Sequence, residues 1–573
     1  MDKFYVTTPI YYVNAEPHIG HAYTTILADV LSRYHRLMGH RVFFLTGADE
    51  LGQKVAQAAA KGGITPQQHA DDTVVRFLDL WKKLEITNDD FLRTTEPRHK
   101  AVVQKILQAL YDRDEIYKTE YDGWYCVACE RFFTEKDIVD GKCPEPECGR
   151  PVERIREANY FFRMSKYQDW LIAYINDHPG FILPQFRRNE TLGFLRKPLN
   201  DLCISRPKTR LNWGIELPFD RDFVTYVWFD ALINYVSAIG YLADGAKFAQ
   251  WWPASCELIG KDILTTHTVY WPTMLKAMGL PMPEMIFAHG WWLTGGSKMS
   301  KSLGNAVDPM ALADRYGVDA FRYFLMAQMI MGEDAGFTEE AFVKKYNSDL
   351  ANDLGNLLSR VTKIVSGSCG GSIPAPGPSG PDEDELRTCV LSAASAMIGS
   401  IGDMRLDLGV GAVIAAVRAT NRYFEKRQPW ALASAGKSAE LGTVLYTAAE
   451  ALRIVSGLLY PVMPGKMTEL RRTLGIAAGD PAIDDLQAWG KLAAGSAIGG
   501  PVSLFARLLP VAPGEDIAKK PEPKPAAQAG SGVEGVLMIE YADFQKVELR
   551  TAKVLLAERV AGADRLLRLE VEI

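Results

Sequence analysis

FYVTTPIYYVNAEPHIGHAYTTILADVL, residues 4–31, holds a strand, a turn and the start of a helix, and its reading decides the fold. Phe4 to Thr8 is a short run suited to a buried strand. Ile26, Leu27, Val30, Leu31 and Tyr34 then recur at helical spacing, so a helix over 22–37 packs one face back on that strand. A further apolar run, Val42-Phe43-Phe44-Leu45-Thr46, completes a βαβ unit, with ligand groups expected at the carboxyl ends of its strands. Between strand and helix stand Pro17 and then His18-Ile19-Gly20-His21. Glycine lets a flat ring approach the backbone, and a helix start offers unpaired N–H groups and positive potential to a phosphate. Two imidazoles add donors that follow charge developing on phosphate oxygens. Taken alone, a histidine pair at a turn is equally well explained by solvent exposure or helix capping.

A second signal stands nearly three hundred residues later, at Gly295-Gly296-Ser297-Lys298-Met299-Ser300-Lys301-Ser302-Leu303-Gly304. Two lysines and three hydroxyls bracketed by glycines make a loop able to fold around a polyphosphate and release it. A solvated basic turn is the plainer reading of that segment by itself. Together with His-Ile-Gly-His beside a strand and helix, chance is a poor explanation.

The 573 residues are too many for one core and suit three to four domains. Apolar content of 47% with 23% charged residues describes a globular protein, and no apolar run has the length of a membrane span. No basic, apolar and cleavable leader opens the sequence, so a cytoplasmic location is expected. A formal net charge of −6 does not mark a nucleic-acid binder, and any such function must rest on motifs.

Eight cysteines without a secretion signal should stay reduced. Cys126 and Cys129 are separated by two residues, Cys143 and Cys148 by four, with thirteen between the pairs. That spacing fits a closed, four-thiolate structural zinc knuckle. Cys203, Cys256, Cys369 and Cys389 follow no pattern and read as small core residues.

His18-Ile19-Gly20-His21 with Lys298-Met299-Ser300-Lys301-Ser302 resembles the signature of class I aminoacyl-tRNA synthetases. The flanking PIYYVNAEPHIGHAY (9–23), YVWFDALINY (226–235) and GKDILTTHTVYWP (260–272) resemble the methionyl-tRNA synthetases of that class, over essentially the whole chain. The resemblance implies an α/β fold: a Rossmann-type catalytic domain in two halves, 1–115 and 216–335, split by a connective insertion with a zinc knuckle at 116–215. It further implies an all-α anticodon-binding bundle over 336–510, a Pro-, Ala-, Lys- and Gly-rich linker over 511–535, and the start of a tRNA-binding OB-fold over 536–573. About forty residues cannot close a five-stranded barrel, and homodimerisation is implied only through a complete OB-fold.

The implied activity is ligation of L-methionine to tRNA(Met), initiator and elongator, through methionyl-adenylate, with ATP carried as its Mg²⁺ complex and one structural zinc. By position in the family motifs, His18, Gly20 and His21 hold the adenosine and α-phosphate. Lys298 and Lys301 hold the leaving pyrophosphate, with Met299, Ser300 and Ser302 also in the ATP-binding loop. A thioether has no charge and only a weak acceptor, so it must be recognised by shape and aromatic contact. The matching positions are Pro9, Ile10 and Tyr12, then Trp228, Ala231, Leu232 and Tyr235, then Ile263, His267 and Trp271, with Asp49 for the α-ammonium. Arg206, Lys261 and Asp262 match charged positions near the substrate. Asn356, Arg360 and Trp430 match positions that meet the CAU anticodon. Family members often read Asp-Glu-His-Gly where this chain has Asp49-Glu50-Leu51-Gly52.

Synthetases for leucine, isoleucine and valine share both signatures but carry an editing insertion of about two hundred residues, for which this length leaves little room. Size and the helical region exclude small nucleotidyltransferases. A silent tRNA-binding derivative would have lost one signature, and a zinc-ribbon module explains only some thirty residues.

Overall fold

The structure is a computed structural model that describes residues 2–510 except 15, 127–130, 134, 136, 137, 139, 145–147 and 300–306, together with 553–559 and 567–572. Two compact units emerge, Met1–Lys520 and Pro521–Ile573.

Seven strands form the central sheet of the first unit. Its order is Tyr11–Tyr12, Arg41–Asp49, Lys3–Thr7, Cys256–Gly260, Ile286–His289 and Ile182–Leu183, with Asp90–Arg93 also on Arg41–Asp49. Every pairing is parallel. A parallel sheet must be covered on both faces, and the side chains divide accordingly. Phe4, Val6, Phe44, Cys256 and Leu258 enter one core with helix Ile19–Leu37, while Tyr5, Phe43, Leu45 and Ile259 enter the other. Sheet alternation thus turns a nearly unbroken apolar run into two cores. The expected βαβ unit is present, but the helix begins at Ile19 and takes Gly20 and His21 into its first turn, and the second strand runs on past Thr46 to Asp49.

Residues 116–203 hold a separate antiparallel sheet, order Arg131–Phe133, Ile116–Cys126, Glu153–Phe162, Leu202–Cys203. Residues 308–330 hold two helices, Pro309–Tyr316 and Val318–Gln328, because Gly317 stands between them at φ 86°. From Glu339 to Leu486 the regular structure is helical. Ser438–Leu459 is buried all round from Leu441 onward, which suits the central helix of a bundle. No helix among the described residues is long and apolar enough to cross a membrane.

Cys203 and Cys256 are buried as expected, whereas Cys369 and Cys389 are only partly so: each lies on a helix end or flank at the core's edge. In the second unit Lys553–Arg559 pairs antiparallel with Leu567–Glu572. The linker expected over 511–535 and the rest of the expected OB-fold start lie outside the described residues.

Candidate active site

Parallel order sends the carboxyl ends of the strands to one edge of the sheet, and the motifs meet there. His18 is the N-cap of helix Ile19–Leu37. Its Nδ1 accepts from Gly20 N at 3.1 Å, and His21 Nδ1 accepts from His18 N at 3.2 Å, a reciprocal capping box. The two rings stack with centroids 3.8 Å apart. With each Nδ1 an acceptor, the proton of each neutral ring sits on Nε2, which makes Nε2–H the donor. A Cβ at position 20 would lie 3.0 Å from His18 Cε1, so glycine is what allows the cap to fold over.

The lysine loop is tied to the same helix start from both sides. Before it, His289, at the end of its strand, meets Thr24 Oγ1 through Nε2 at 2.7 Å and stacks edge-on with Tyr23. After it, Val307 O accepts from Ile19 N at 3.2 Å. Leu293 and Thr294 pair antiparallel with Lys298 and Ser297, and Met299 is buried. Ser300, Lys301 and Ser302 lie outside the described residues, and of Lys298 only the backbone is described. His289 and Thr24 were missed from sequence. The only available signal was a histidine ending a buried strand, which core packing explains as well.

A cluster of aromatic side chains stands beside this edge. Trp228, Ala231, Leu232 and Tyr235 follow at i, i+3, i+4 and i+7 through the consecutive helical segments Val227–Leu232 and Asn234–Ser237, and so share a face. Tyr12 meets Trp228 edge to face at 6.5 Å, and Tyr235 meets His267 and Trp271 at 5.8 Å each. His267 lies in a π-helical turn, Thr266–Tyr270, whose wider pitch brings positions 267 and 271 onto one side. His267 Nδ1 contacts Ile263 O at 3.0 Å, so its N–H donates there and its Nε2 accepts from Tyr235 O–H at 2.8 Å. Burial pushes the His267 imidazole down to about 4, so this wall carries no charge at neutral pH. Pro9 and Ile10 are partly buried on the segment between strands Lys3–Thr7 and Tyr11–Tyr12, and Ile263 is partly buried just past the end of Cys256–Gly260.

Asp49 is buried, with Tyr12 beside it in register. Leu51 is 2% exposed and belongs to the core that contains Tyr235 and Trp271, so an isobutyl group there is packed rather than presented. The three looser charges divide. Lys261 pairs with Asp334 at 2.7 Å and lies 3.9 Å from the Trp291 ring, and Asp262 accepts from Trp291 Nε1 at 3.3 Å, both at the sheet's carboxyl edge. Arg206 is buried against the residue two before Trp228: its Nη1 donates to Ser205 O at 2.6 Å and its guanidinium lies over Tyr226 and Tyr125. Those contacts join the insertion to the strand before Trp228.

Cys126, Cys143 and Cys148 converge with their sulfurs within 4.8 Å of one another, and Cys126 and Cys148 are 3.6 Å apart. Sulfurs on a zinc tetrahedron stand about 3.8 Å apart, so the three fit such an ion. Cys129 lies outside the described residues. Far along the chain, Arg360 comes within 5.3 Å of the Trp430 ring and 5.1 Å of Phe424 and pairs with Glu425. Trp430 is 40% exposed, and Asn356 is exposed one turn before Arg360 on helix Asn356–Ser368.

The family model described as tRNA synthetases class I (M) matches residues 4–154 and 147–362. The methionine–tRNA ligase of Caldanaerobacter subterraneus is 43% identical over all of this chain and 88% of that protein. That of Thermotoga maritima is 44% identical over all of this chain and 89% of that protein. The solved structure of Mycobacterium tuberculosis methionyl-tRNA synthetase in complex with methionyl-adenylate superposes with a TM-score of 0.85 at 39% identity, covering 88% of this chain and 100% of that one.

Proposed function

The chain belongs to the methionyl-tRNA synthetase family of class I tRNA synthetases, and from that premise we infer that the carboxyl edge of its sheet is where it works as a ligase. It activates L-methionine with ATP to methionyl-adenylate and pyrophosphate, then transfers methionine to the 3′-terminal adenosine of tRNA(Met). A methionine carboxylate oxygen attacks the α-phosphorus, the bond to the β-phosphate breaks, and pyrophosphate leaves. A ribose hydroxyl then attacks the acyl carbon and AMP leaves.

Positioning and charge stabilisation are the protein's main tasks in such a reaction. His18 and His21 offer Nε2–H to the α-phosphate, with Gly20 under the adenosine. Lys298 and Lys301, with Met299, Ser300 and Ser302 around them, receive the pyrophosphate, and Mg²⁺ arrives on the nucleotide. Asp49 takes the α-ammonium, while Tyr12, Trp228, Tyr235, His267 and Trp271 enclose the thioether above Pro9, Ile10, Ala231, Leu232 and Ile263. Support for the pairing of the two signatures is that both flanks of the lysine loop are bonded to the helix His18 caps. ATP–pyrophosphate exchange across the twenty amino acids tests the reading: methionine should dominate, and equal exchange with leucine or isoleucine rejects it.

The domain reading follows the same line. Residues 1–115 and 216–335 form the catalytic fold, 116–215 the insertion, 336–510 the anticodon domain, 511–535 a linker and 536–573 the start of an OB-fold, which in complete form would also carry a homodimer. Action on tRNA in the cytoplasm belongs to this reading. Cys126, Cys143 and Cys148, with Cys129 as fourth ligand, hold one structural zinc. Cys126→Ser should lose about one zinc per chain together with local order, measured by metal analysis and proteolysis. A chain without metal that stays active and stable rejects this.

Trp430, with Arg360 and Asn356, forms the anticodon contact, an exposed indole being free to stack on a splayed base. Trp430→Ala should spare exchange and melting temperature yet lower kcat/KM for tRNA charging by about 1–3 kcal/mol. Parallel loss of exchange and melting temperature would assign Trp430 to the core.

A further inference from the structure

One buried acid sits directly behind the aromatic pocket. Glu257 is wholly buried on strand Cys256–Gly260, flanked in register by Thr7 and Ile286. Alternation turns it to the face of Tyr5, Ile259, Tyr235 and Trp271, away from Cys256 and Leu258. Its Oε1 accepts from Trp271 Nε1 at 3.1 Å. Its Oε2 is buried with no hydrogen-bond partner among the described residues. We propose that Glu257 is a positioning residue for the amino-acid substrate, its carboxyl seating the Trp271 indole and so fixing the aromatic wall of the pocket. The inference rests on the reading of that pocket as the methionine site.

The surroundings explain why the group is neutral. The titratable groups facing it are Tyr5 from the first strand and Tyr235 from Asn234–Ser237, with Cys256 beside it on its own strand and His267 one step further on, bonded to the Tyr235 hydroxyl. None is a cation at neutral pH, since burial holds both phenols and the thiol protonated and His267 unprotonated. Burial pushes the Glu257 carboxyl up to about 8, against a smaller opposing effect of the Trp271 hydrogen bond. An unpaired oxygen is tolerable on a neutral acid here and costly on a carboxylate. Trp271 in turn packs on Tyr235, whose hydroxyl bonds to His267. An apolar residue at 257 would orphan the indole N–H and loosen that chain. The methionine side chain lies away from the reacting carboxylate, so the loss should fall on KM and not on kcat.

The test is methionine-dependent ATP–pyrophosphate exchange from pH 6.5 to 9.5 in wild type, E257Q and E257L. Glutamine keeps the acceptor for Trp271 and cannot ionise. Wild-type KM for methionine should rise about tenfold between pH 7 and pH 9 as Glu257 loses its proton, because the charged, unpartnered Oε2 then draws water or a rearrangement in behind Trp271 even though the indole bond itself tightens. E257Q should match wild type at pH 7 and rise only with the substrate's own ammonium titration, and E257L should raise KM severalfold at every pH with kcat unchanged. Superimposable pH curves for wild type and E257Q, with exchange still specific for methionine, overturn the proposal while sparing the assigned function. Exchange that prefers another amino acid overturns the assigned function instead. In that case the Trp271 fluorescence of wild type, taken as the difference from W271F, still decides the contact. It should titrate near pH 8 and stay flat in E257Q, and a flat wild-type curve rejects it.

Discussion

His21→Asn should lower kcat for methionine activation by about 10²–10³-fold, the usual cost of removing one preorganised donor to a charge that grows in the transition state. The capping box gives this expectation its form. The asparagine Oδ1 can stand where His21 Nδ1 accepts the His18 N–H, so the helix start survives, but nothing replaces Nε2–H. Melting temperature and the KM for methionine should therefore stay near wild type. His21→Gln can turn its amide either way, Oε1 to the His18 N–H as capping boxes commonly do or Nε2–H toward the phosphate, but not both at once. It should hold the melting temperature and lose kcat if the cap wins, and keep more of kcat while losing about 1 kcal/mol of stability if the phosphate wins. Stopped-flow activation with thermal melts of both variants separates the roles. A His21→Asn enzyme with normal kcat would reduce His21 to a cap.

Arg322→Met should destabilise the first unit by about 3–5 kcal/mol, because it leaves a buried carboxylate without its main counter-charge. Arg322 and Asp29 are both fully buried and 2.7 Å apart. The guanidinium also donates to Leu84 O, Val462 O and Pro461 O, so one side chain bonds helix Ile19–Leu37, the end of helix Pro66–Lys83 and the turn after Ser438–Leu459. Asp29 receives further bonds from Arg33 and from Thr87 N and Oγ1. Burial alone would raise its pKa, but Arg322 and Arg33 outweigh it and hold the carboxyl below its usual range. Because the folded pKa is depressed, the stabilisation is complete at neutral pH and is lost as pH falls below about 4 through the folded value. Urea unfolding of Arg322→Met at pH 7 measures the loss, and Asp29→Asn added to it should restore part. A loss under about 1 kcal/mol would show that water or rearrangement reaches the site.

Both sites show where sequence reading stops. His18 and His21 were legible as candidates for a phosphate site because residue types and order, paired with the later lysine motif, fit that chemistry. Their tautomer was not, since it depends on two hydrogen bonds that exist only once the helix start has folded. Arg322 resembled any arginine on a helix until partners 139 to 293 residues away closed around it.

Local periodicity and spacing carried the parallel α/β class and the cysteines that meet, because each is written in the order of neighbouring residues, whereas the helical region after 335 and the aromatic positions from Tyr12 to Trp271 came from the family resemblance. The split at Gly317, the placing of Arg206 against Tyr226, the bonds from His289 and Val307 to the helix start, and the burial of Glu257 behind Trp271 came from tertiary structure alone. They depend on which strand lies beside which and on which residues water can no longer reach. Those are properties of packing between segments far apart in the chain.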